Sequence, residues 1–90
     1  MSERLKKRAL RVVGARQVLR GIRDGALERV VLALDAAPQM RGQIERAAAE
    51  AGVPLETAAS MEELARLCRV DVPSAAAGIL RPPAGQNAGK

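Results

Sequence analysis

The amino-acid sequence predicts an α/β protein, a single three-layer α/β/α sandwich around a small four-stranded sheet. Two observations favour this class. Short apolar segments with strand character alternate along the chain with longer segments whose apolar residues recur at helical spacing. Three of the helical segments each carry an apolar stripe, which is what covering both faces of a sheet requires. Ninety residues are enough for one such domain with one core.

The first part of the chain predicts a short helix, a strand and a longer helix. Residues 2–10 can form a helix capped by Ser2. This helix is strongly basic, and it either contacts phosphate or lies solvated at the terminus. Arg11–Val13 would be the first strand. The apolar stripe of the next helix consists of Ala15, Val18, Leu19, Ile22 and Ala26. Gly25 lies where a residue in the left-handed conformation would end that helix.

The middle of the chain predicts a central strand and a second long helix. Arg29–Leu34 is a continuous apolar run bounded by charges, which is typical of a strand covered on both faces. We therefore expect it at the centre of the sheet. Pro38 suits the first turn of the following helix, and Gly52 would end it. The apolar stripe of this helix consists of Met40, Ile44, Ala47, Ala48 and Ala51.

The last third predicts a strand, a helix and a final strand. Val53–Thr57 is a short strand that admits Pro54 only near its start or at an edge of the sheet. Ser60-Met-Glu-Glu63 is a capping box that opens a helix. The residues that this helix buries are expected to be Leu64, Leu67 and Cys68. After a loop at 69–74 we expect a strand at Ala75–Leu80, although alanine is a poor strand former and this assignment leans on a family resemblance given below.

The composition limits the possible functions. The chain contains no Phe, Tyr, Trp or His, so it lacks the aromatic stacking platform of many single-strand RNA binders. Its net charge of +5 is unevenly distributed, since residues 1–29 hold nine Lys/Arg and three Asp/Glu, whereas residues 30–90 hold six and seven. This asymmetry is typical of a nucleic-acid surface, although a membrane-surface patch would look similar from charge alone.

Other features of the chain set expectations for its location and chemistry. No apolar run reaches the length of a membrane span and no signal-peptide core is found, so we expect a cytoplasmic protein with no membrane partner. No cofactor, metal or small-molecule substrate is expected. Cys68 should be a small buried hydrophobe, because no histidine is present to activate it. We expect one domain at residues 1–80 and a disordered tail at 81–90, which is rich in Pro, Gly, Gln and Asn.

The helix after the first strand has the strongest functional pattern. Its polar ridge consists of Arg16, Gln17, Arg20 and Arg23. Gly14 precedes it, and a glycine there lets a ligand backbone approach the free N–H groups at the positive end of the helix dipole. The pattern predicts polyanion recognition. An ordinary amphipathic helix with a solvated basic face fits the residues alone equally well.

This stretch resembles the Gly-Thr-Asn/Lys-Glu/Gln-x-x-Lys-x-x-x-x-Gly signature of the L7Ae/L30e family, at Gly14, Arg16, Gln17, Arg20 and Gly25. The resemblance is closest to the short bacterial members and runs from about Arg11 to Leu80. It implies an L30e-like fold with a mixed sheet. It also implies that the protein binds kink-turn RNA as a ribosomal or ribosome-associated protein, with ribosomal RNA and riboswitches as candidate targets. We expect it to do so as a monomer.

By this resemblance, Arg16, Gln17 and Arg20 would contact the tandem sheared G·A pairs of a kink-turn in its widened groove. A sheared G·A pair exposes guanine N7 and O6, which suit an arginine or amide donor. Arg16 stands where Asn or Lys is usual, and Ala15 replaces a Thr, which removes one hydroxyl contact. The candidate RNA-binding residues in this part of the chain are Gly14, Ala15, Arg16, Gln17, Arg20 and Arg23.

The second family element is the loop after the capping-box helix. The resemblance places Val70 and Val72 against extruded or unstacked bases, although a loop anchored in the core would use similar residues. Arg69 stands where the family has Gly, which either adds a phosphate contact or means that the turn uses another geometry. The candidate residues in this loop are Val70, Asp71, Val72 and Pro73.

Two alternatives belong to other functional classes. Asp35 follows a strand at its carboxyl end, where many α/β active sites lie. No second carboxylate cluster, strand lysine or Gly-x-x-x-x-Gly-Lys motif accompanies it, so the sequence indicates that the chain is not an enzyme. The main alternative is a protein-interaction module that binds an acidic partner, because a basic helix and an apolar loop suit that function as well. Some family members have a third contact region at 35–38. Here Ala37 replaces an acidic residue, which predicts weaker recognition of bases by this region.

Overall fold

The computed structural model describes residues 11–71 and 73–81, which form a sheet with helices on both faces. The strands are β1 (Arg11–Val13), β2 (Leu27–Ala33), β3 (Leu55–Ala58) and β4 (Ala76–Leu80). The helices are α1 (Ala15–Arg23), α2 (Pro38–Ala51) and α3 (Met61–Cys68). The helix predicted at 2–10, and all of the predicted tail except Arg81, lie outside the described residues.

The four strands lie in the order β1-β4-β2-β3. Strand β4 pairs antiparallel with both β1 and β2, and β3 pairs parallel with β2. The predicted mixed sheet and the central position of β2 are thereby confirmed. Because β1, β2 and β3 point the same way, their carboxyl ends meet at one edge together with the start of β4. We call this edge the loop edge; it comprises the turn at Gly14, the turn at 34–37 and the loop at 69–75.

The helices form the outer layers of the predicted sandwich. Helices α1 and α2 cover one face, and the buried residues between them and the sheet are Val18, Ile22, Leu27, Val30, Leu32, Ile44, Ala48, Val53 and Ala76. Helix α3 covers the other face, and the buried residues there are Val31, Ala33, Ala36, Ala58, Leu64, Cys68, Ala77 and Ile79. Several residues assigned to the apolar stripes are only half-buried, namely Ala15, Leu19, Ala26, Met40, Ala47 and Leu67, and Ala51 is exposed. Ala26 also lies beyond the end of α1.

Leu27, at the start of β2, holds α1 close to the sheet. A β-bulge between Leu27 and Arg29 shifts the register, so Leu27 faces α1 and α2 although Val31, four residues on, faces α3. There it fills the space left by two glycines. A Cβ added to Gly21 of α1 would lie 2.8 Å from Leu27 Cγ, and one added to Gly78 of β4 would lie 2.6 Å from Leu27 Cδ1. Helix α1 therefore packs at a distance that requires glycine at both positions.

The ends of β2 differ from the sequence prediction. The strand begins two residues before Arg29, because the bulge lets the chain pair with β4 from Leu27 onward. It ends at Ala33 instead of Leu34, because the Ala36 N–H donates to the Ala33 carbonyl at 3.2 Å and closes a turn. Leu34 consequently follows the end of the strand, with its N–H still bonded to Ala58 of β3, and is 48% exposed.

Strand β3 begins at Leu55, two residues later than predicted. Pro54 has no N–H to donate to a ladder, and only its carbonyl joins the sheet, where it accepts from the Val30 N–H at 3.0 Å. The strand lies at the sheet edge, one of the two positions that the sequence left open for Pro54. Strand β4 begins at Ala76, one residue later than predicted. None of the described helices has the length and apolar character that crossing a bilayer requires.

Candidate nucleic-acid interface

Gly14 fixes the turn from β1 into α1. Its φ of 111° and ψ of 146° lie in a region that is nearly restricted to glycine. Its N–H donates to the Ala76 carbonyl at 2.9 Å, which ties the turn to the start of β4. A Cβ here would have only Gln17 Cγ within reach, at 4.0 Å, so the backbone conformation and not space demands glycine. Because Gly14 has no side chain to accept from them, the first N–H groups of α1 remain open to an anion.

The ridge of α1 faces solvent along its whole length. Its exposed members are Arg16, Gln17, Arg20 and Arg23. The opposite side of the helix is anchored in the core by Val18, which is fully buried. The ridge residues and Leu19 line an open depression of about 470 Å³. Within residues 11–71 and 73–81 the three ridge arginines form no ion pair. Their charge is therefore uncompensated locally and available to an anionic ligand.

The turn at 34–37 lies beside this helix end at the loop edge. Its beginning is held on both sides, since the Leu34 N–H donates to the Ala58 carbonyl at 2.9 Å and the Ala33 N–H donates to the Ala75 carbonyl at 2.8 Å. Asp35 Oδ1 accepts a hydrogen bond from the Met61 N–H at 2.7 Å, at the start of α3. Asp35 thus acts as a second cap of α3, beside Ser60, whose Oγ accepts from the Glu63 N–H at 3.0 Å as the capping box predicts.

The loop after α3 begins with Arg69 in the left-handed conformation, at φ 59° and ψ 44°. Its N–H donates to the Arg66 carbonyl at 3.1 Å, and the Val70 N–H donates to the Ala65 carbonyl at 3.0 Å. This is the helix ending that glycine favours. Of the two consequences considered for Arg69, a change of turn geometry is therefore wrong. Its phosphate contact stays a prediction.

Val70 is half-buried against the layer formed by α3 and does not stand free in solvent. The interpretation of a loop anchored in the core is correct for this residue. Asp71 and Pro73 are exposed, and Val72 lies outside the described residues. Asp71 and Pro73, together with Val70 and the turn residue Asp35, line an open depression of about 460 Å³ at the start of α3. Arg66 also lines it, so the loop lies beside a surface that combines apolar residues with charged residues of both signs.

Backbone hydrogen bonds bring the two predicted halves of the site together. Gly14 contacts Ala76, Ala33 contacts Ala75, and the Ser74 N–H approaches the Met61 carbonyl at 3.5 Å. The glycine turn, the turn at 34–37 and the α3–β4 loop thus form one continuous edge. The ridge runs away from this edge along α1, so Arg23 lies about 10 Å further from it than Arg16, at 1.5 Å per residue.

Cys68 and Arg11 have structural roles, in the core and at the end of α3. Burial raises the pKa of the Cys68 thiol, and the nearby Arg11 acts in the opposite direction. The thiol is fully buried, so its interpretation as a core residue is confirmed. Arg11 Nη2 donates to the Cys68 carbonyl at 2.7 Å and caps the end of α3. Among the described residues, no group of Cys, Asp and Glu could hold a metal ion.

Sequence reasoning missed two residues at the loop edge. Leu34, the one exposed large hydrophobic residue in the described part of the chain, was assigned to β2 because it extends an apolar run. Asp35 was considered as an enzymatic carboxylate and as part of a third contact region, but not as a helix cap, and its partner Met61 is 26 residues away. The Asp35-Ala-Ala-Pro38 sequence is a turn signal that could have ended the strand earlier. No local signal could have identified Met61.

The fold and the loop edge define the class: a small L30e-like α/β/α sandwich that presents an open basic helix end beside an apolar loop. The chain belongs to the ribosomal protein L7Ae/L30e/S12e/Gadd45 family, whose model matches residues 2–87. This family is non-enzymatic, which confirms that the chain is not an enzyme and removes the catalytic interpretation of Asp35.

Individual relatives agree with this assignment. An RNA-binding protein of Geobacillus sp. (strain WCH70) is 37% identical over 70 residues, which cover 78% of this chain and 85% of that protein. RNA-binding protein YbxF of Geobacillus stearothermophilus is 36% identical with the same coverage. Among solved structures, the Giardia lamblia 15.5kD RNA binding protein is similar with a TM-score of 0.81 and 29% identity, covering 96% of this chain and 72% of that one.

Proposed function

We propose that this protein binds RNA and that its specific target is a kink-turn, whose tandem sheared G·A pairs are contacted by the first turns of α1. The observation that carries the proposal is the open helix end behind Gly14 at the loop edge, followed along α1 by arginines that form no ion pair within the described residues. The names of the bacterial relatives and of the Giardia protein support RNA as the ligand.

The ridge supplies two kinds of contact. Arg16, Gln17 and Arg20 lie within two turns of the helix end and present guanidinium and amide donors, which match guanine N7 and O6 in a widened groove. Ala15 and Gly14 allow the RNA to approach the helix N–H groups closely. Arg23, further along α1, contacts the phosphate backbone. The first group confers specificity and Arg23 contributes affinity that depends on salt.

The α3–β4 loop supplies the apolar contact. A kink-turn leaves bases unstacked, and we assign the contact with such a base to Val70, which is only partly buried, to the exposed Pro73 and to Val72. Asp71 lies in the same loop, and its carboxylate accepts a hydrogen bond from a base N–H. This hydrogen bond offsets the repulsion between the carboxylate and the RNA phosphates. Ridge and loop together match a bent RNA, and binding shifts the RNA toward the kinked form by the difference in affinity for the two forms.

A ribosomal or ribosome-associated role in the cytoplasm, exercised by a monomer, remains part of this proposal. Ribosomal RNA and riboswitches are the candidate targets. A second candidate function, binding of an acidic protein partner, is favoured by the same uncompensated arginines. Competition separates the two functions, since a partner that is displaced by kink-turn RNA but not by plain duplex occupies the site that the RNA uses.

The test compares a kink-turn RNA with the same RNA carrying Watson–Crick pairs in place of the G·A pairs. We expect affinity to fall by several kcal/mol, because both the kink and the exposed guanine edges are lost. End-labelled RNA should bring its two arms together on binding, as measured by energy transfer. Equal affinity for both RNAs, or an RNA that stays extended at saturation, would contradict kink-turn recognition.

Arg20→Ala tests the assigned contact. The substitution should weaken binding to the kink-turn by about 1 to 3 kcal/mol and binding to duplex RNA only slightly, because it removes a contact in the groove. Arg46→Ala is the matched control, since Arg46 is an exposed arginine in the middle of α2. Filter binding at several salt concentrations measures both. If Arg20→Ala lowers both affinities in proportion, the ridge is an unspecific electrostatic patch.

A further inference from the structure

We infer that Asp35 is a positioning residue of this interface, whose carboxylate holds the α3–β4 loop in the place where RNA meets it. The inference rests on the proposed function. Asp35 lies at the loop edge, in the turn that follows β2, and its side chain accepts a hydrogen bond from the Met61 N–H at 2.7 Å. Its role is therefore to set the geometry of neighbouring groups.

The support of Asp35 is rigid. The turn that carries it is closed by the hydrogen bond between the Ala36 N–H and the Ala33 carbonyl. Hydrogen bonds on either side join this turn to β3 through Ala58 and to the start of β4 through Ala75. A carboxylate on such a support has little freedom, so its oxygen fixes the position of the group that donates to it.

Met61 transmits that position to the loop. Its N–H donates to Asp35, and its carbonyl faces the N–H of Ser74 at 3.5 Å. Ser74 is buried, with 6% of its surface exposed, and it ends the α3–β4 loop. A single residue of α3, Met61, thus lies between the turn at 34–37 and the loop. The Met61 side chain also packs with Val70 against the same core layer.

The chemistry of the contact suits this role. The acceptor is a carboxylate and the donor is a backbone N–H in the first turn of a helix, where negative charge is favoured by the helix dipole. Without it, Ser60 alone would cap α3, and the first turn of the helix would be free to shift with the loop attached to it. The ridge on α1 has no direct link to this contact, so the effect should be confined to the loop.

The test compares Asp35→Ala with Asp35→Asn, which have the same charge and differ in the acceptor oxygen. Asn keeps an oxygen at the same position, so we expect it to bind kink-turn RNA at least as tightly as the parent protein. Ala should bind up to roughly tenfold more weakly than Asn, the loss expected when one neutral hydrogen bond is removed. Both should bind duplex equally. Asp35→Glu keeps the charge but moves the oxygen, and it should behave as Ala does.

Two further measurements separate positioning from a general loss of stability. Amide hydrogen exchange at Met61 should accelerate in Asp35→Ala and stay slow in Asp35→Asn. In double mutants, Asp35→Ala should have little further effect once Val70→Ala has weakened the loop, but its effect should add fully to that of Arg20→Ala. Each affinity is measured at a temperature where circular dichroism shows the variant to be folded.

The outcomes are distinct. If the parent protein fails to prefer the kink-turn, the proposed function is wrong. If the parent protein prefers it and Asp35→Ala binds as tightly as Asp35→Asn, only the positioning role is wrong. Full additivity with Val70→Ala, or an unfolded Asp35→Ala together with an Asp35→Glu that binds like the parent protein, would also overturn the inference.

Discussion

The two halves of the candidate interface are built in different ways. The ridge on α1 is a local structure, since residues three and four apart share a helix face whenever the helix forms. The α3–β4 loop is held from a distance, by Arg11 at the end of α3 and by Asp35 through Met61. The ridge therefore keeps its shape if one distant contact is lost. A half that depends on long-range contacts can be displaced by a single substitution elsewhere in the chain.

This difference explains how far the sequence could predict the molecule. The glycine turn, the helix that follows it and the capping box of α3 depend on residues within a few positions, and all three were predicted. The exposure of Leu34, the anchoring of Val70 and the contact between Asp35 and Met61 depend on pairings across the sheet edge. Periodicity carries no information about such pairings.

The ridge also has one long-range dependence, and this gives the largest expected effect. Helix α1 rests on β4 through Leu27, which occupies the space beside Gly78. Gly78→Ala would bring a methyl group to 2.6 Å from Leu27 Cδ1. Overpacking of this kind should lower the free energy of unfolding by about 1 to 3 kcal/mol. Urea denaturation measures it.

The matched control is Gly42→Ala in α2, where a Cβ would meet nothing within 4 Å. There alanine should stabilise the helix by about 0.5 to 1 kcal/mol. Leu27→Val should recover part of the loss in the Gly78→Ala background, since it shortens the side chain that clashes. If Gly78→Ala lowers the free energy of unfolding no more than Gly42→Ala does, the close approach of α1 to the sheet is wrong. The ridge would then depend on no contact with β4.

The loop half should gain stability from Arg69→Gly. An L-residue in the left-handed region costs about 1 to 2 kcal/mol relative to the right-handed one, and glycine avoids this cost. Part of the gain is lost again because glycine is more flexible in the unfolded chain, so a net increase of about 1 kcal/mol is expected. Thermal denaturation without RNA measures it, and a variant less stable than the parent protein would contradict the left-handed assignment.

The same variant sharpens the comparison between the halves when RNA is present. If Arg69 contacts phosphate, Arg69→Gly should weaken kink-turn and duplex RNA alike and reduce the slope of log affinity against log salt by about one. The protein would then be more stable and bind less tightly. Unchanged affinity and slope would show that only the ridge half contributes phosphate contacts in the described part of the chain.

Leu34 lies in the turn at 34–37 at the loop edge, and substitutions there should have the smallest effect on folding. Its side chain is half exposed in a turn, so Leu34→Lys should change the free energy of unfolding by no more than about 0.5 kcal/mol. Its effect on RNA binding depends on whether the turn at 34–37 faces the ligand. If it does, the added charge should strengthen binding to every RNA and steepen the salt slope by about one, because one more phosphate is neutralised.

Gln43→Lys adds the same charge at an exposed position in the middle of α2 and controls for the overall increase in net charge. Debye screening at physiological salt limits such a general effect to about 8 Å, so this variant should leave the slope nearly unchanged. A steeper slope for Leu34→Lys than for Gln43→Lys would place the turn at the RNA, as a third part of the interface beside ridge and loop. Equal slopes would mean that the RNA contacts ridge and loop without touching the turn.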